Sequence, residues 1–270
     1  MWAVFTFYIF ILGMFPFRKP ECVHRVATGG SMLQGCNGVY IDLGSNLGVQ
    51  IRKLFEPERY PGAAVIPIFD KYFGNNRSRI CAVGFEPNPV HTVRLNALQE
   101  HYSKHCGHRV HFFTETAVSN YNGNTVLWSD NKPDRQFDGS SITTDWNNMG
   151  LAYKVRVIDI AEFIKNEVLP YTSNVVMKVD IEGSENYVVP HLLMQGVFCS
   201  IDAVFMEMHA QMIPADDYDA LRQMMSLMPQ MVRLGNCNVT FQDLDDESYA
   251  ADVDNSISTC GTGIPAIIQP

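Results

Sequence analysis

One lysine and three acids lie close together in the octapeptide KVDIEGSE, which begins at Lys178. It starts inside an apolar stretch typical of a buried strand, so Lys178 and Asp180 would share one strand face. Glu182 and Glu185 would follow as neighbours on the next helix. Burying such groups is costly unless they pair or serve a ligand. The run therefore predicts a charged site at a strand end, and an ion-paired helix start is the alternative.

Three side chains are candidates for a general base that takes a proton from a hydroxyl group: Asp180, Glu182 and His209. His209 follows Glu207 on an apolar stretch, and the two would lie on one strand face. A neutral histidine beside a carboxylate is a suitable base, whereas a purely structural histidine is the alternative. Asp180, Glu207 and His209 would also suit a divalent cation, but their spacing fixes no ligand geometry, so we assign no metal site.

A glycine-rich turn is predicted in the heptapeptide DLGSNLG, which begins at Asp42. Gly44 and Gly48 allow the backbone to turn sharply, and the start of the next helix would offer N–H groups to an anion. Asp42 would repel a phosphate but suit an ammonium group. The spacing is not the G-x-G-x-x-G of dinucleotide enzymes. With Ser45 and Asn46, the turn fits the methionine part of S-adenosylmethionine, and a purely structural turn is the alternative.

Two further positions complete the predicted donor site. Glu86 follows the second apolar stretch, where a carboxylate can accept hydrogen bonds from ribose hydroxyls. The alternative is an acid at a helix start, and Asn88 is assigned to the same part of the site. Ala117 lies after a third apolar stretch, where it would pass beside an adenine ring, although a plain strand end explains it equally well.

The elements that must position these residues alternate along the chain. The pattern predicts apolar strands followed by helices, which indicates a mainly parallel, Rossmann-like α/β sheet with helices on both faces and ligands beyond the carboxyl ends of the strands. Two stretches interrupt this order: an irregular insertion at 56–79 and a polar excursion at 118–150, which we expect to face the substrate. The strands are predicted at 39–42, 80–85, 110–113, 155–157, 175–179 and 204–208, with helices at 48–55, 91–102, 160–168, 182–193 and 218–227.

Taken together, four motifs resemble the FkbM-type methyltransferase family over about residues 38–210. The family implies a class I methyltransferase fold, S-adenosylmethionine as methyl donor, and O-methylation of hydroxyls on sugars or polyketides. The sequence departs from simpler members in its N-terminal apolar segment and in the insertion at 56–79. The motifs are YIDLGSNLG at 40–48, GFEPNP at 84–89, AVS at 117–119 and KVDIEGSE at 178–185.

The resemblance also implies roles for individual residues. Asp42, Gly44 and Glu86 would hold the donor, and Asp180 would lie at the boundary between donor and acceptor. The acceptor is then a hydroxyl-bearing small molecule or a glycan.

The chain is long enough for one methyltransferase domain, predicted at 38–270, after a linker at 18–37. Its composition, 46% hydrophobic and 18% charged, is that of an ordinary globular protein. The net charge is −9 and the sequence contains no cluster of lysine and arginine. We therefore expect no nucleic-acid partner.

The first 17 residues are apolar and uncharged, and Arg18 and Lys19 follow directly. As a helix they would span roughly 26 Å, slightly less than the hydrocarbon core of a bilayer. The segment predicts a signal-anchor or a signal-like sequence, and so a membrane or secretory location. The basic pair after the segment favours a cytoplasmic position for that side, which conflicts with a lumenal domain. The orientation, and a cytoplasmic alternative, stay open.

Seven cysteines show no CxxC pair and no zinc-type spacing. Cys81 and Cys199 lie in apolar stretches and are predicted to be core residues. The sequence also holds two N-x-S/T sequons, at Asn76 and Asn238, which favour the secretory pathway. Pairing in an oxidising compartment is open to the cysteines of polar loops: Cys22, Cys36, Cys237 and Cys260.

Three other functions compete with methyl transfer. A lumenal, metal-dependent glycosyltransferase would fit the N-terminal segment, with Asp243, Asp245 and Asp246 as a metal and nucleotide-sugar site. A non-catalytic binding module could keep the fold, although the retained turn and acids argue against it. A nicotinamide dehydrogenase is disfavoured by the glycine spacing.

Overall fold

The computed structural model describes residues 31–129, 139–143, 151–234, 237–244 and 246. Within them, the centre of the protein is a six-stranded sheet in which all neighbouring strands are parallel. The order across the sheet is β3-β2-β1-β7-β8-β9. These strands are β1 (Gly38–Leu43), β2 (Ile80–Glu86), β3 (Arg109–Thr114), β7 (Val175–Val179), β8 (Ala203–Met206) and β9 (Thr240–Asp243).

This strand order is the 3-2-1-4-5-6 order of doubly wound α/β proteins, because β7, β8 and β9 are the fourth to sixth strands of the sheet. The predicted Rossmann-like, mainly parallel sheet is therefore confirmed. The order reverses between β1 and β7, and ligands bind at such a switch point, beyond the carboxyl ends of the strands.

Helices cover both faces of the sheet, as expected. Along β1, Val39 and Ile41 belong to one hydrophobic core and Tyr40 belongs to the other, because successive side chains point to opposite faces. The helices are α1 (Val49–Phe55), α2 (Ile66–Phe73), α3 (Thr92–Glu100), α4 (Ile160–Phe163), α5 (Glu185–Met194) and α6 (Ala215–Leu234). The first three pack with Tyr40 and the last three pack with Val39.

Two predicted irregular stretches contain regular structure. The insertion at 56–79 includes helix α2, whose first turn holds a proline, a position where proline is well tolerated. The excursion at 118–150 contributes to a second sheet of order β4-β6-β5. Its remaining parts, 130–138 and 144–150, lie outside the described residues. The strands of this sheet are β4 (Thr116–Ser119), β5 (Gly123–Ser129) and β6 (Leu151–Asp159).

The start of α5 differs from the prediction. The helix begins at Glu185, whereas the sequence predicts a start at Glu182. Glu182 and Gly183 have φ angles of 53° and 97°, which are outside the helical region. Glu182 therefore lies in a turn before the helix, and the two glutamates are not neighbours on one helical face.

Two disulfides extend the prediction for the cysteines. Cys81 and Cys199, predicted as core residues, pack in or against the core and are also bonded to Cys36 and Cys237. Disulfides persist in oxidising compartments, which agrees with the predicted secretory location, and that location stays a prediction. Cys22 and Cys260 lie outside the described residues.

The end of the predicted linker belongs to the domain. Leu33 and Cys36 are buried in the same core as Val39. The apolar segment at 1–17 lies outside the described residues. Within the part of the chain that the structure describes, no helix is long and apolar enough to cross a membrane.

Candidate functional site

A groove opens at the switch point, beyond the carboxyl ends of the parallel strands. Most of the residues predicted from the sequence line it, but Asp42, Gly48 and Asn88 do not. The lining includes Gly44, Ser45, Asn46, Glu86, Ala117, Asp180, Glu182 and His209. The fold therefore brings the predicted donor residues and the three predicted bases into one site.

Gly44 is the point where the ends of β1 and β7 touch. Its φ angle is 80°, and a Cβ atom at this position would lie 1.8 Å from the carbonyl oxygen of Asp180. The Lys178 ammonium also donates a hydrogen bond of 2.9 Å to the Gly44 carbonyl. A glycine is needed here for close approach of two backbones, as well as for the sharp turn.

The N–H groups of the turn after β1 donate hydrogen bonds to acceptors within the protein. The N–H groups of Gly44 and Ser45 donate to the Phe85 carbonyl at 3.1 and 3.0 Å, and that of Gly48 donates to the Ser45 carbonyl at 2.7 Å. The N–H of Asn46 donates to Glu86 Oε2 at 2.6 Å. These four N–H groups therefore already have acceptors, and the anion site predicted at the start of α1 stays a prediction.

Gly48 allows helices α1 and α3 to pack closely. It is the N-cap of α1 with a φ angle of 79°. A Cβ atom there would come within 2.8 and 3.0 Å of the Leu98 and Leu95 side chains of α3. Its contribution to the site is indirect, through the position of α1.

Glu86 is buried at the edge of the groove, and each of its carboxylate oxygens accepts a backbone hydrogen bond. Oε2 accepts from Asn46, and Oε1 accepts from the N–H of Asn88 at 2.7 Å. Burial raises the pKa of Glu86 to about 7, against the lowering effect of these hydrogen bonds and of Lys178. A carboxylate has further lone pairs, so Glu86 can still accept from ribose hydroxyls in the groove.

Asn88, and not Glu86, is the helix cap, which removes the alternative interpretation of Glu86. The Asn88 side chain accepts a hydrogen bond of 3.2 Å from the N–H of Val90. Its amide nitrogen donates to Ser140 Oγ at 3.0 Å, and Ser140 lines the groove. The predicted donor contact of Asn88 is therefore replaced by a positioning role.

We expect donor affinity to depend on the ionisation of Glu86, because the ionised carboxylate is the better acceptor for ribose hydroxyls. Affinity for S-adenosylhomocysteine, measured by calorimetry, should rise about tenfold between pH 6 and 8, and Glu86→Gln should remove that rise. The raised pKa also means that ionising Glu86 costs folding stability as the pH rises from about 4.5 to about 7. A melting temperature that falls equally in wild type and Glu86→Gln over this window would contradict the assignment.

Asp42 lies behind the groove. It is fully buried, and neither carboxylate oxygen has a hydrogen-bond partner among the described residues. Burial raises the pKa of Asp42, and Lys178, whose Nζ is 3.8 Å away, opposes this shift. The sequence predicts that Asp42 contacts the donor directly. In the structure Asp42 does not line the groove. It acts on the site through Lys178.

Lys178 is a fixed cation that holds Asp180. Its Nζ is 2.7 Å from Asp180 Oδ2, which confirms that the two side chains share one face. Burial alone would lower the pKa of Lys178, but Asp180 and Asp42 outweigh burial and hold the pKa above its usual range. The Asp180 carboxylate is thus oriented at the groove by a charge-assisted hydrogen bond.

His209 stands among four carboxylates. Its Nδ1 is 3.0 Å from Glu185 Oε1, and its Nε2 is 3.4 Å from both Glu182 and Glu207 and 3.6 Å from Asp180. Burial lowers the pKa of His209, but these acids outweigh burial and raise it to about 11. With only these groups around it, His209 is protonated and has no free lone pair. The predicted role as a neutral general base is therefore not supported.

Glu182 holds a proton at neutral pH as well. Burial raises its pKa to about 9, although His209 opposes the shift. A protonated carboxyl is an acid and not a base. Of the three predicted bases, Asp180 fits best, since it lines the groove and is oriented by Lys178.

The groove is acidic. Its cationic lining residues are Lys178 and His209, and both are already paired with acids. Such a lining favours a ligand with ammonium or sulfonium charge and disfavours a pyrophosphate. The lining carboxylates are Glu86, Asp180, Glu182, Glu207 and Asp246.

Asp246 is a groove residue whose role the sequence did not reveal. Lys53, which is fully buried in α1, holds it: Nζ is 3.2 Å from the Asp246 carboxylate and 2.9 Å from its carbonyl. The N–H of Val65 also donates to this carboxylate at 3.2 Å. Asp246 is thus committed to internal partners, and Asp243 lies on an exposed part of β9. This arrangement does not support the predicted metal and nucleotide-sugar site.

Known proteins show little similarity to this chain. No family model and no curated protein matches the chain. A solved structure that matches is the methyltransferase FkbM from Methylobacillus flagellatus KT, at 12% identity and a TM-score of 0.37. The match covers 76% of this chain and 38% of that chain.

Proposed function

We propose that the protein is an S-adenosylmethionine-dependent methyltransferase that methylates a hydroxyl of a sugar, a glycan or another small metabolite. The observation that carries the proposal is the pairing of two carboxylates in one groove at the switch point of the sheet. Glu86 is held by the turn after β1, and Asp180 is held by Lys178. One acid suits a ribose and the other suits a hydroxyl acceptor.

The donor half of the groove fits S-adenosylmethionine by charge and by shape. This cofactor carries ammonium and sulfonium charges, which suit an acidic lining. Asn46 Oδ1 is buried there without a hydrogen-bond partner among the described residues, so it can accept from a ligand. Ala117 and Phe85 add apolar surface beside which an adenine ring can pack.

The acceptor half needs little more than alignment and a base. S-adenosylmethionine supplies a methyl group that is already activated on a sulfonium. The protein must hold a hydroxyl oxygen in line with that methyl group and exclude water. Asp180 would take the proton of the hydroxyl as the new C–O bond forms, because it lines the groove and Lys178 orients its carboxylate.

The experiment is labelled methyl transfer by the full-length protein to a panel of glycans, hydroxylated metabolites and peptides. Asp180→Asn should lower turnover by about 10²- to 10⁴-fold, the usual contribution of a general base, and change donor affinity by less than about tenfold. S-adenosylmethionine should also raise the melting temperature of wild type.

Asp159→Asn is the matched control, because Asp159 pairs with His191 away from the groove. It should retain turnover. An equal loss of turnover and donor affinity in Asp180→Asn would contradict the acceptor-side role. Absence of any melting shift in wild type would contradict the donor assignment. Donor binding without transfer to any acceptor would favour the non-catalytic alternative.

A further inference from the structure

His209 is a buried histidine, and both of its imidazole nitrogens face carboxylates. Glu185 holds one nitrogen, Nδ1, and this glutamate is itself fixed by the N–H groups of Ile181 and Gly183. The residue is 5% exposed, and Nε2 faces the carboxyl groups of Asp180, Glu182 and Glu207. The ring is therefore locked with Nε2 aimed at the groove.

Three carboxylates surround that nitrogen at distances too long for good hydrogen bonds. The closest oxygens of Glu182 and Glu207 are each 3.4 Å from Nε2, and that of Asp180 is 3.6 Å away. Ligand atoms of Asp180, Glu182 and His209 all lie within 4.8 Å of one another. Atoms that bind one cation at about 2.1 Å are roughly 3 to 4.2 Å apart, so these separations are close to those of a coordination shell.

The backbone also turns Glu182 into this gap. Its φ angle of 53° is unusual for a residue other than glycine, and Ser141 Oγ donates a hydrogen bond of 2.5 Å to the Glu182 carbonyl. The side chain is about one-fifth exposed, so it faces the groove and not bulk water. The fold therefore holds the Glu182 carboxyl group close to His209, beside the carboxylates of Asp180 and Glu207.

We propose that Asp180, Glu182, Glu207 and His209 form a binding site for a divalent cation, with Mn²⁺ as a suitable ion. Carboxylates with one imidazole suit first-row divalent ions with a preference for oxygen. A side chain coordinates a metal ion in its deprotonated form, so the ion would replace the proton on His209 Nε2 and the proton on the Glu182 carboxyl, and both protons would be released to solvent. Glu185 then has the role of the carboxylate that orients a metal-binding histidine, which is a common arrangement around metal sites. The cation also compensates the excess of carboxylates at this edge of the groove.

The proposed cation site lies in the part of the groove that is assigned to the acceptor. If the methyltransferase proposal holds, the ion orients a hydroxyl oxygen and lowers its pKa, as a metal does for bound water. That role rests on the proposed function, whereas cation binding does not. The acceptor class is then narrowed to hydroxyl compounds that can bind a metal ion.

The test is a titration of the full-length protein with Mn²⁺ alone, in which electron paramagnetic resonance measures free Mn²⁺. One saturable ion per chain is expected. Glu207→Gln should weaken binding tenfold or more. This residue is one-third exposed, so its replacement should leave the melting temperature nearly unchanged. His209→Gln should weaken binding at least as strongly.

His191→Gln provides the matched control. His191 is also a largely buried histidine with a carboxylate partner, Asp159, but its Nε2 faces that one acid at 2.9 Å. It should bind Mn²⁺ like wild type. No saturable binding by wild type at millimolar Mn²⁺, or equal affinity in wild type and Glu207→Gln, would overturn the proposal. The change in melting temperature caused by S-adenosylmethionine is measured separately. Its absence would contradict the methyltransferase proposal but not the proposed cation site.

Discussion

Gly44→Ala is expected to lower the free energy of unfolding by more than about 3 kcal/mol and to abolish donor binding. The new Cβ atom would lie 1.8 Å from the Asp180 carbonyl oxygen, where an ordinary contact needs more than 3 Å. The Cβ atom is fixed to the backbone at the end of β1 and the carbonyl belongs to the backbone after β7, so no side-chain rotation can relieve the overlap. The ends of β1 and β7 must separate, and the groove lies between them. Urea unfolding and calorimetry with S-adenosylhomocysteine measure the two effects.

Gly196→Ala separates overlap from backbone strain. Gly196 also has a left-handed φ angle, 68°, but a Cβ atom there would meet nothing within 4 Å. It ends α5, where the N–H of Val197 donates to the Leu192 carbonyl in the manner of a glycine C-cap. Its replacement should cost about 1 to 2 kcal/mol, the price of the left-handed conformation alone, and leave donor binding intact. Equal losses for the two variants would show that the Gly44 contact is not tight.

The sheet was predictable because its signals are local. Each parallel strand is buried on both faces, so it consists of a short apolar stretch that ends at a turn, as β1 and β7 do. Residues that follow such stretches had to meet at one edge, so Glu86 and Asp180 could be assigned to the groove from the sequence.

The features that escaped prediction depend on contacts between distant segments. Glu182 leaves the helix because Ser141, 41 residues away, bonds its carbonyl. Asp246 reaches the groove because Lys53 binds it across 193 residues. The pairing of Cys81 with Cys36 likewise joins two segments that sequence spacing does not connect. No periodicity encodes such pairs.

Asp42 and His209 show a second limit of the sequence. Their residue types predict a chemical role, but the charge and burial around them depend on the fold. Asp42 is sealed behind Lys178, and His209 is surrounded by acids that keep it protonated. A motif therefore predicts where a group lies better than it predicts the protonation state of that group.

Glu185→Gln is expected to lower the free energy of unfolding by about 3 kcal/mol. The substitution removes the carboxylate whose hydrogen bonds hold the turn that carries Asp180 and Glu182. Glu185 is fully buried, and its carboxylate accepts from the N–H groups of Ile181 and Gly183 and contacts His209. A glutamine amide has one oxygen only, so its NH₂ group would face an N–H donor without an acceptor. The buried imidazolium would also lose its nearest counter-charge.

Glu162→Gln is the matched control for this last variant. Glu162 is also near the start of a helix and accepts a hydrogen bond from Asn122 Nδ2 at 2.6 Å, but it is exposed, and a glutamine oxygen can replace the lost acceptor. Its replacement should change the free energy of unfolding by less than about 0.5 kcal/mol. Urea unfolding of both variants measures the difference. Equal stability of Glu185→Gln and Glu162→Gln would mean that the turn does not depend on the buried carboxylate, and the positions of Asp180 and Glu182 would then need another cause.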